Sequence, residues 1–199
     1  NPALTAAVAD SDHVVAVYLH APEDESPWSP GASSRWWLHH SLAALDAALR
    51  RKGVALTLRR GTALPALTEL AQEIGATRVV WNRLYDPAPV ARDTAVKTGL
   101  RDLGFECESY NANLLHEPWE IRTGQGGPYR VFTPFWRACQ MRLDAQPAPL
   151  PAPKRLHGPS QLITSLALDE LALLPKIPWN AAFSQHWSPG ERGAHQRLE

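Results

Sequence analysis

The sequence predicts an α/β fold in which parallel strands form a doubly wound, Rossmann-like sheet. Two observations lead to this prediction. Short runs of apolar and β-branched residues alternate four times with longer segments of helical periodicity. The strand runs are nearly continuous in such residues, which is typical of parallel strands covered by helices on both faces. Right-handed crossovers then connect the successive strands.

Local signals place each element along the chain. Asn1 and Pro2 suit the N-cap and the first position of a helix, so a helix is predicted at the start. Strands are predicted over residues 13–19, 54–60, 77–82 and 105–110. Helices are predicted from Ser33 or Ser34 to about residue 52, over residues 62–74, and over about residues 90–103. Each of these three helices is followed by a glycine, which commonly ends a helix.

The alternation stops after Tyr110. A short strand-like piece near residues 128–132 precedes a predicted helix, which Thr133 caps and Pro134 starts. Residues 146–159 contain five prolines, which predict an exposed, extended segment. A short helical stretch is predicted near residues 166–174. The end of the chain has the features of a helix start, and the chain is interpreted as a fragment truncated at both ends.

Composition narrows the function classes. Hydrophobic residues make up 44% of the 199 residues and charged residues 20%, which excludes a wholly disordered chain. The 20 basic and 20 acidic residues balance, so the chain is not expected to hold nucleic acid by itself. Cys107 and Cys139 form no disulfide framework and favour a reducing cytoplasm. No apolar run of the sequence approaches the length of a membrane span.

Few residue patterns point to chemistry by themselves. No glycine-rich phosphate loop follows a predicted strand, and the sequence has no nucleophile-elbow motif. His39 and His40 point in different directions on a helix, so they are interpreted as structural residues rather than metal ligands. His116 and Glu117 are interpreted as isolated.

Two further pairs have a structural and a functional interpretation. Arg92 and Asp93 are interpreted as a capping and ion-pair group at the start of a helix. Trp36 and Trp37 lie next to each other on a helix, and at least one ring is expected in the core. For Trp36 the favoured interpretation is packing, with contact to a planar ligand as the alternative.

Several segments together resemble the amino-terminal domain of the DNA photolyase and cryptochrome family. The most specific is GPYRVFTPFW at residues 127–136, which is similar to the family's G-x-P-Y-x-V-F-T-P-F-W. The other segments are NPAL at 1–4, RWWLHHSL at 35–42, VWNR at 80–83, RD at 92–93 and WSPGERGA at 187–194. They occur in the family's order and span nearly the whole chain.

The resemblance implies a five-stranded parallel sheet in the order 3-2-1-4-5, from which this chain lacks the first strand. The four predicted strands would then form two pairs, the first two and the last two, with a gap of one strand between the pairs. Unpaired strand edges favour aggregation, so the isolated chain is expected to be poorly soluble or partly unfolded. The implied domains are an α/β antenna-binding domain (1–144), an interdomain linker (145–186) and the start of an FAD-binding helical domain (187–199).

The resemblance also implies a function, that of a deoxyribodipyrimidine photolyase, which splits pyrimidine dimers in DNA by light-driven electron transfer from FAD. The α/β domain of the family holds an antenna chromophore. A folate is favoured over a deazaflavin, because Glu108 matches a pteridine-binding position, whereas Ala112 stands where deazaflavin-using members have an acidic residue. Arg35 and Trp36 are the other candidate chromophore contacts.

In the family, FAD, damaged DNA and the catalytic residues belong to the carboxy-terminal domain. No catalytic residue is therefore named in this chain, and FAD is expected only in the full-length protein. That protein is expected to be a cytoplasmic monomer without membrane contact. The alternatives are a cryptochrome-type light-signalling protein, a nucleotide-binding α/β domain of electron-transfer-flavoprotein or universal-stress type, and an interaction module without a ligand.

Overall fold

The structure is a computed structural model that describes residues 1–22, 29–143 and 148–199. The strands are β1 (Ala16–His20), β2 (Leu56–Arg60), β3 (Arg78–Asn82) and β4 (Glu106–Tyr110). The helices are α1 (Pro2–Ala9), α2 (Ala32–Arg50), α3 (Ala63–Ile74), α4 (Pro87–Asp102), α5 (Phe132–Gln140), α6 (Phe183–His186) and α7 (Glu191–Leu198), with a 3-10 helix (Leu168–Leu171) before α6. The predicted domain boundary between residues 144 and 145 lies outside the described residues, as do the first two residues of the predicted proline-rich segment.

The predicted strands and the first helices are confirmed, with shifts at their ends. Strand β1 begins at Ala16 rather than at residue 13, because the N–H of Val14 donates to the carbonyl of His157 at 2.7 Å instead of joining the sheet. Helix α4 begins at Pro87 rather than near residue 90, since proline suits the first helical turn. Helix α2 has Gly31 at its N-cap, so the predicted serine cap is wrong.

The region around α5 differs from the prediction. Residues 128–131 form no strand, and the helix already begins at Phe132 with Val131 at its N-cap. Thr133 therefore lies inside the helix and does not cap it. The helical stretch predicted over residues 166–174 is a single 3-10 turn, Leu168–Leu171.

The four strands form two parallel pairs, as predicted. Strand β1 pairs with β2, and β3 pairs with β4. Between β1 and β3 lies a groove of about 830 Å³, which α1 and α3 also line. The groove separates the two pairs, and we refer to it as the central groove.

The helices cover the strands from both faces. Helices α1 and α2 pack with β1 and β2 in a cluster that includes Leu42, Leu49 and Leu58. Helices α3 and α4 pack with β3 and β4 around Val96 and Leu100. This arrangement is the α/β architecture with parallel strands that the alternating sequence pattern predicts. Within the described residues, no helix is long and apolar enough to cross a membrane.

The start of α1 is tied to the carboxyl end of β3. The side chain of Asn1 accepts the N–H of Leu4 at 3.0 Å, which caps the helix, and also accepts from the amide of Asn82 at 2.9 Å. The N–H of Ala3 in turn donates to the side chain of Asn82 at 3.1 Å. These bonds place the first residue of the chain beside the edge at which the strands end.

The proline-rich region packs against the sheet instead of standing apart from it. We call residues 153–173 the strap. The described residues 148–159 contain neither helix nor strand, as the prolines predict, but Leu156 is only 2% exposed, so the predicted exposure is wrong at this position. Leu156, Leu171 and Leu173 of the strap belong to the same buried cluster as α2 and β2.

Backbone hydrogen bonds hold the strap along β2. The N–H of Leu58 donates to the hydroxyl of Ser165 at 2.9 Å, and the N–H of Leu166 donates to the carbonyl of Leu58 at 3.0 Å. At the other end, the N–H of Leu156 donates to the carbonyl of Lys52 at 2.7 Å. The strap therefore satisfies backbone groups that an edge strand would otherwise leave open.

Candidate functional site

A polar cluster lies just beyond the carboxyl ends of β3 and β4, where open parallel sheets bind ligands. Arg83 and Glu117 form an ion pair, in which Nε of Arg83 lies 2.9 Å from Oε1 of Glu117 but is not aligned for a hydrogen bond. Nη2 of Arg83 donates a hydrogen bond to Oε2 of Glu117 at 3.4 Å. The hydroxyl of Tyr85 donates to the same carboxylate at 2.5 Å. Glu117 is buried, so the ion pair holds its charge inside the protein.

Aromatic side chains complete this cluster. The guanidinium of Arg83 lies 5.6 Å from the ring centroid of Trp119, and the rings of Tyr85 and Trp119 are 6.1 Å apart. Burial and the hydrogen bond to Glu117 raise the pKa of the Tyr85 hydroxyl. Trp119 is half-exposed, so one face of a cation–aromatic pair is open to solvent.

The sequence did not reveal this cluster. From the sequence, Glu117 is interpreted as isolated from other metal-ligand residues, and its cationic partner is not predicted, because the fold brings it to Arg83 and Tyr85 across more than thirty positions of sequence. One signal was present: Arg83 directly follows a predicted strand, at the edge where ligands bind in such sheets.

Glu108 lies on β4 in a second polar network. Arg78 of β3 donates to the carboxylates of Asp10 at 2.7 Å and Glu108 at 2.6 Å, and to the hydroxyl of Tyr110 at 3.1 Å. The Tyr110 hydroxyl also donates to Glu108. The hydrogen bond from Tyr110, followed by that from Arg78, lowers the pKa of Glu108. Glu108 is therefore an ionised, half-exposed carboxylate at neutral pH.

Arg35 and Trp36 lie at the start of α2. The guanidinium of Arg35 donates to the carbonyl of Pro30 at 2.8 Å, and its side chain is exposed. Trp36 is 3% exposed, with the rings of His40 and Phe183 at 4.5 and 5.1 Å from its own. This burial favours packing over ligand contact for Trp36.

The three predicted chromophore contacts lie on two different parts of the structure. Arg35 and Trp36 belong to the helix that connects β1 and β2, whereas Glu108 belongs to the other strand pair. No residue that the structure describes contacts both Glu108 and the Arg35–Trp36 segment of α2 through a hydrogen bond or a ring contact. Their role as chromophore contacts stays a prediction.

The surroundings of the remaining candidate groups indicate a structural role rather than ligand binding. In the described ranges, no group of three or more His, Cys, Asp or Glu side chains is placed to hold a metal ion. The His39 and His40 rings are 5.2 Å apart, and burial lowers the pKa of His39. Both cysteines are buried and free, and burial raises the pKa of the Cys107 thiol.

Arg92 and Asp93 form the predicted ion pair, at 2.7 Å. The capping part of that prediction is wrong. Helix α4 begins at Pro87, so both residues lie within the helix, past its first turn.

Comparison with known proteins agrees with the motifs and with the paired parallel strands. A family model described as DNA photolyase matches residues 1–154. The chain belongs to the DNA photolyase family.

Relatives in this family include photo-lyases and cryptochromes. The chain is 45% identical, over its whole length, to the deoxyribodipyrimidine photo-lyase of Agrobacterium fabrum, of which it covers 41%. It is 38% identical to cryptochrome-2 of Arabidopsis thaliana, again over its whole length and covering 33% of that protein. The chain thus spans well under half the length of these photolyase-family relatives.

Solved structures show the same fold. A bacterial class III photolyase from Agrobacterium tumefaciens superposes with a TM-score of 0.89 at 44% identity, and the match covers the whole chain and 40% of that photolyase. A cryptochrome from Synechocystis superposes with a TM-score of 0.82 at 20% identity, which shows the fold alone. The photolyase-family fold therefore extends through residues 155–199, beyond the part that the family model matches.

Proposed function

We propose that this chain is the antenna-binding region of a deoxyribodipyrimidine photolyase. The observation that carries the proposal is 45% identity over the whole chain to the Agrobacterium photolyase, together with the match to a photolyase structure. The full-length protein would bind FAD and damaged DNA through its carboxy-terminal domain and repair pyrimidine dimers in light. We propose it as a monomer that acts in the cytoplasm.

The antenna chromophore of this proposal is a folate rather than a deazaflavin. A bound folate absorbs near-ultraviolet light and passes the excitation to FAD. Among the hydrogen bonds of the described residues, both that reach Glu108 go to its Oε2. Its Oε1 can therefore accept hydrogen bonds from the N–H groups of a pteridine ring, because the oxygens of an ionised carboxylate are hydrogen-bond acceptors. The exposed guanidinium of Arg35 on α2 can form an ion pair with the anionic part of a folate. Trp36 is buried and stabilises the position of α2.

Titration with methenyltetrahydrofolate tests the folate assignment. We expect its near-ultraviolet absorption band to shift on binding to the chain and the affinity to fall about tenfold or more in Glu108→Gln, which removes the charge. Glu106→Gln is the matched control, because Glu106 is an exposed carboxylate on the same strand. Equal affinities for both variants would remove Glu108 from the site, and no band shift with the unaltered chain would refute folate binding.

A cryptochrome-type light receptor is the second candidate function. It is favoured by 38% identity over the whole chain to Arabidopsis cryptochrome-2. Light-dependent repair of an oligonucleotide that carries a single pyrimidine dimer, assayed with the full-length protein, separates the two. Repair supports the photolyase; bound flavin without repair supports the cryptochrome.

The sheet of the proposed photolyase has the strand order 3-2-1-4-5, with its first strand in the central groove. Two features support this arrangement. The groove lies between the unpaired edges of β1 and β3 and is lined by apolar residues of α1 and α3, so it suits an extended apolar segment. Asn1 is bonded to Asn82 at the carboxyl end of β3, so a strand joined to Asn1 would run parallel to β3.

A strand fused to the chain tests this order. We expect six apolar, β-branched residues with a short loop before Asn1 to raise the melting temperature by about 5 °C or more, because they pair two open edges. The same fusion with two prolines in the strand is the control, since proline cannot donate to the ladder. Equal melting temperatures for both fusions would refute the proposed order.

A further inference from the structure

Arg78 joins three elements of the fold through one side chain. It stands at the start of β3, and its two terminal nitrogens bind different carboxylates. Nη1 donates to Oδ2 of Asp10, at the end of α1, at 2.7 Å, and Nη2 donates to Oε2 of Glu108, on β4, at 2.6 Å. The Arg78 side chain is only 16% exposed, so the two charged hydrogen bonds hold its guanidinium in one place. The position of Glu108 is therefore linked to that of α1.

Helix α1 lies along β3 and is bonded to it at both ends. The side chain of Asn82, at the carboxyl end of β3, accepts from the N–H of Ala3 and donates to the side chain of Asn1. Asp10, the C-cap of the helix, bonds to Arg78 at the other end of the strand. Arg78 and Asn82 are four positions apart in a strand, so their side chains project from the same face of the sheet. Asp10 therefore reaches Arg78 because of the way α1 packs on that face.

Tyr110 is a second donor to Glu108. The two residues are two positions apart on β4, so their side chains also share a face. The Tyr110 hydroxyl donates to Oε2 of Glu108 and accepts from Nη2 of Arg78 at 3.1 Å. The hydrogen bond to Glu108 raises the pKa of Tyr110, so the hydroxyl keeps its proton at neutral pH and stays a donor.

Two donors on one oxygen orient the Glu108 carboxylate. The last torsion of a glutamate side chain is otherwise broad, and the bonds from Arg78 and Tyr110 to Oε2 restrict it. Oε1 is then the oxygen left for a ligand, and the side chain is half-exposed, so a ligand can reach it. The bond from Tyr110, followed by that from Arg78, lowers the pKa of Glu108, and the charge of Lys97 on α4 acts in the same direction.

We propose that Arg78 and Tyr110 are positioning residues, which fix Glu108 as an ionised hydrogen-bond acceptor for the N–H groups of a pteridine ring. Asp10 belongs to the same group, because it holds the Arg78 guanidinium from its other side. The inference rests on the proposed folate site and extends it from one contact residue to a preorganised group. Arg78 and Tyr110 act on the ligand only through Glu108.

A purely structural role explains less of this geometry. An ion pair between Arg78 and Asp10 would by itself tie β3 to α1, without a second donor on Glu108. Ion pairs of exposed carboxylates also add little to stability. A structural role predicts that variants of the network change the melting temperature and leave the folate affinity of the folded chain unchanged. A positioning role predicts that the affinity changes in chains that are fully folded.

The titration of Glu108 is the first measurement. The chain is labelled with carbon-13 at the side-chain carboxyl groups of glutamate, and the Glu108 signal is assigned by its loss in Glu108→Gln. We expect Tyr110→Phe to move the titration midpoint upward, because a hydrogen bond to the charged form lowers the pKa of a carboxyl group. The other groups that face Glu108, which are Asp10, Arg78 and Lys97, are the same in this variant. An unchanged midpoint would overturn the inference.

A double-mutant cycle connects this titration with the ligand. The affinity for methenyltetrahydrofolate is measured near neutral pH for the unaltered chain, Tyr110→Phe, Glu108→Gln and the double variant. We expect Tyr110→Phe to weaken binding about threefold or more, and to have no further effect once Glu108 is glutamine. An equal loss in both backgrounds would overturn the inference, since Tyr110 would then act without Glu108. Tyr129→Phe is the matched control, because Tyr129 is a half-buried tyrosine whose ring packs on Phe135.

Arg78 is tested with two replacements and through its anchor. Arg78→Lys keeps the charge but has one nitrogen in place of the guanidinium fork, and Arg78→Gln removes the charge. We expect the affinity to fall from the unaltered chain to Arg78→Lys and further to Arg78→Gln, with circular dichroism giving the folded fraction of each. Asp10→Asn should also weaken binding, whereas the control Asp12→Asn, at an exposed aspartate two positions further on, should not. Equal affinities for all these variants would overturn the inference.

Failure of the inference and failure of the folate assignment give different results. No binding by the unaltered chain refutes the folate assignment, and the Glu108 titration then decides by itself whether Tyr110 acts on the carboxylate. Binding that Glu108→Gln leaves unchanged removes Glu108 from the site and refutes its positioning for this ligand. Binding that Glu108→Gln weakens, and that Tyr110→Phe and Arg78→Gln leave unchanged, keeps the proposed site and refutes the inference.

Discussion

Replacing Leu156 by alanine asks whether the proline-rich strap belongs to the folding unit of the α/β domain. Leu156 is 2% exposed and packs in a buried cluster with residues of α2 and β2, which lie about one hundred positions earlier in the chain. Its N–H also donates to the carbonyl of Lys52 at 2.7 Å. A linker without a structural role would not place a large apolar side chain in that core.

The expected loss of stability follows from this burial. Truncation of a buried leucine to alanine costs about 2–5 kcal/mol, as the lost transfer free energy and the cavity that remains add together. Because Leu156 is almost fully enclosed, we expect about 3 kcal/mol. For a chain of this length, that corresponds to a fall in melting temperature of roughly 6–12 °C.

Urea unfolding followed by far-ultraviolet circular dichroism measures this loss. Leu162→Ala is the matched control, because Leu162 lies on the same strap but is 97% exposed, and its truncation should change stability by less than about 0.5 kcal/mol. If Leu156→Ala stays within that limit as well, the strap is not part of the folding unit and the reasoning from burial fails.

Other predictions concern the contacts of the strap and their dependence on pH. A Cβ at Gly53, where φ is +111°, would lie 2.5 Å from the carbonyl oxygen of Leu156, whereas one at Gly104, where φ is +90°, would meet nothing within 4 Å. Both alanine variants carry the strain of a positive φ, so Gly53→Ala should destabilise by at least about 1 kcal/mol more than Gly104→Ala in the same urea titration, and equal losses would contradict the close approach. The N–H of Thr164, followed by Arg59, lowers the pKa of Glu73 below 4.5. A lowered folded-state pKa means that this contribution to stability is fully present above pH 4.5 and is lost as the pH falls through the folded pKa. Melting curves of the unaltered chain and of Glu73→Gln should therefore converge in acid, and a constant difference across that range would show that Glu73 does not act through its charge.

Much of the fold could be predicted because its signals are local. The strands are read from short apolar runs, and the break after Ile74 is read from Gly75, which adopts φ of 64° as a left-handed helix cap. The pairing of the strands followed from the resemblance to a known family and is confirmed by the structure. The start of α5 was predicted two positions too late, because Thr133 and Pro134 form a good local signal for a helix start, whereas Val131 at the actual N-cap gives none.

The rest depends on contacts between distant residues, for which the sequence has no local signal. Prolines predict that the strap has no regular structure, but they do not predict which surface it covers. The burial of Leu156 depends on α2 and β2, which are distant in sequence. The pairing of Arg78 with Asp10 likewise joins residues 68 positions apart and needs α1 to lie on β3.

The chain itself bonds backbone groups on the outer edge of each strand pair, which favours the central groove as the place where a further strand would pair. On β2, the strap bonds the N–H and the carbonyl of Leu58, which point away from β1. On β4, the N–H of Glu106 donates to the carbonyl of Thr77, next to β3. The backbone groups of the following residue, Cys107, therefore point to the outer edge of the pair. There the side chain of Arg101 donates to the carbonyl of Cys107 at 3.0 Å. Blocking of outer edges is how natural sheets avoid adding strands from other molecules. The edges of β1 and β3 face each other across the groove without such protection from the strap or from Arg101, as expected of edges that take up a strand between them.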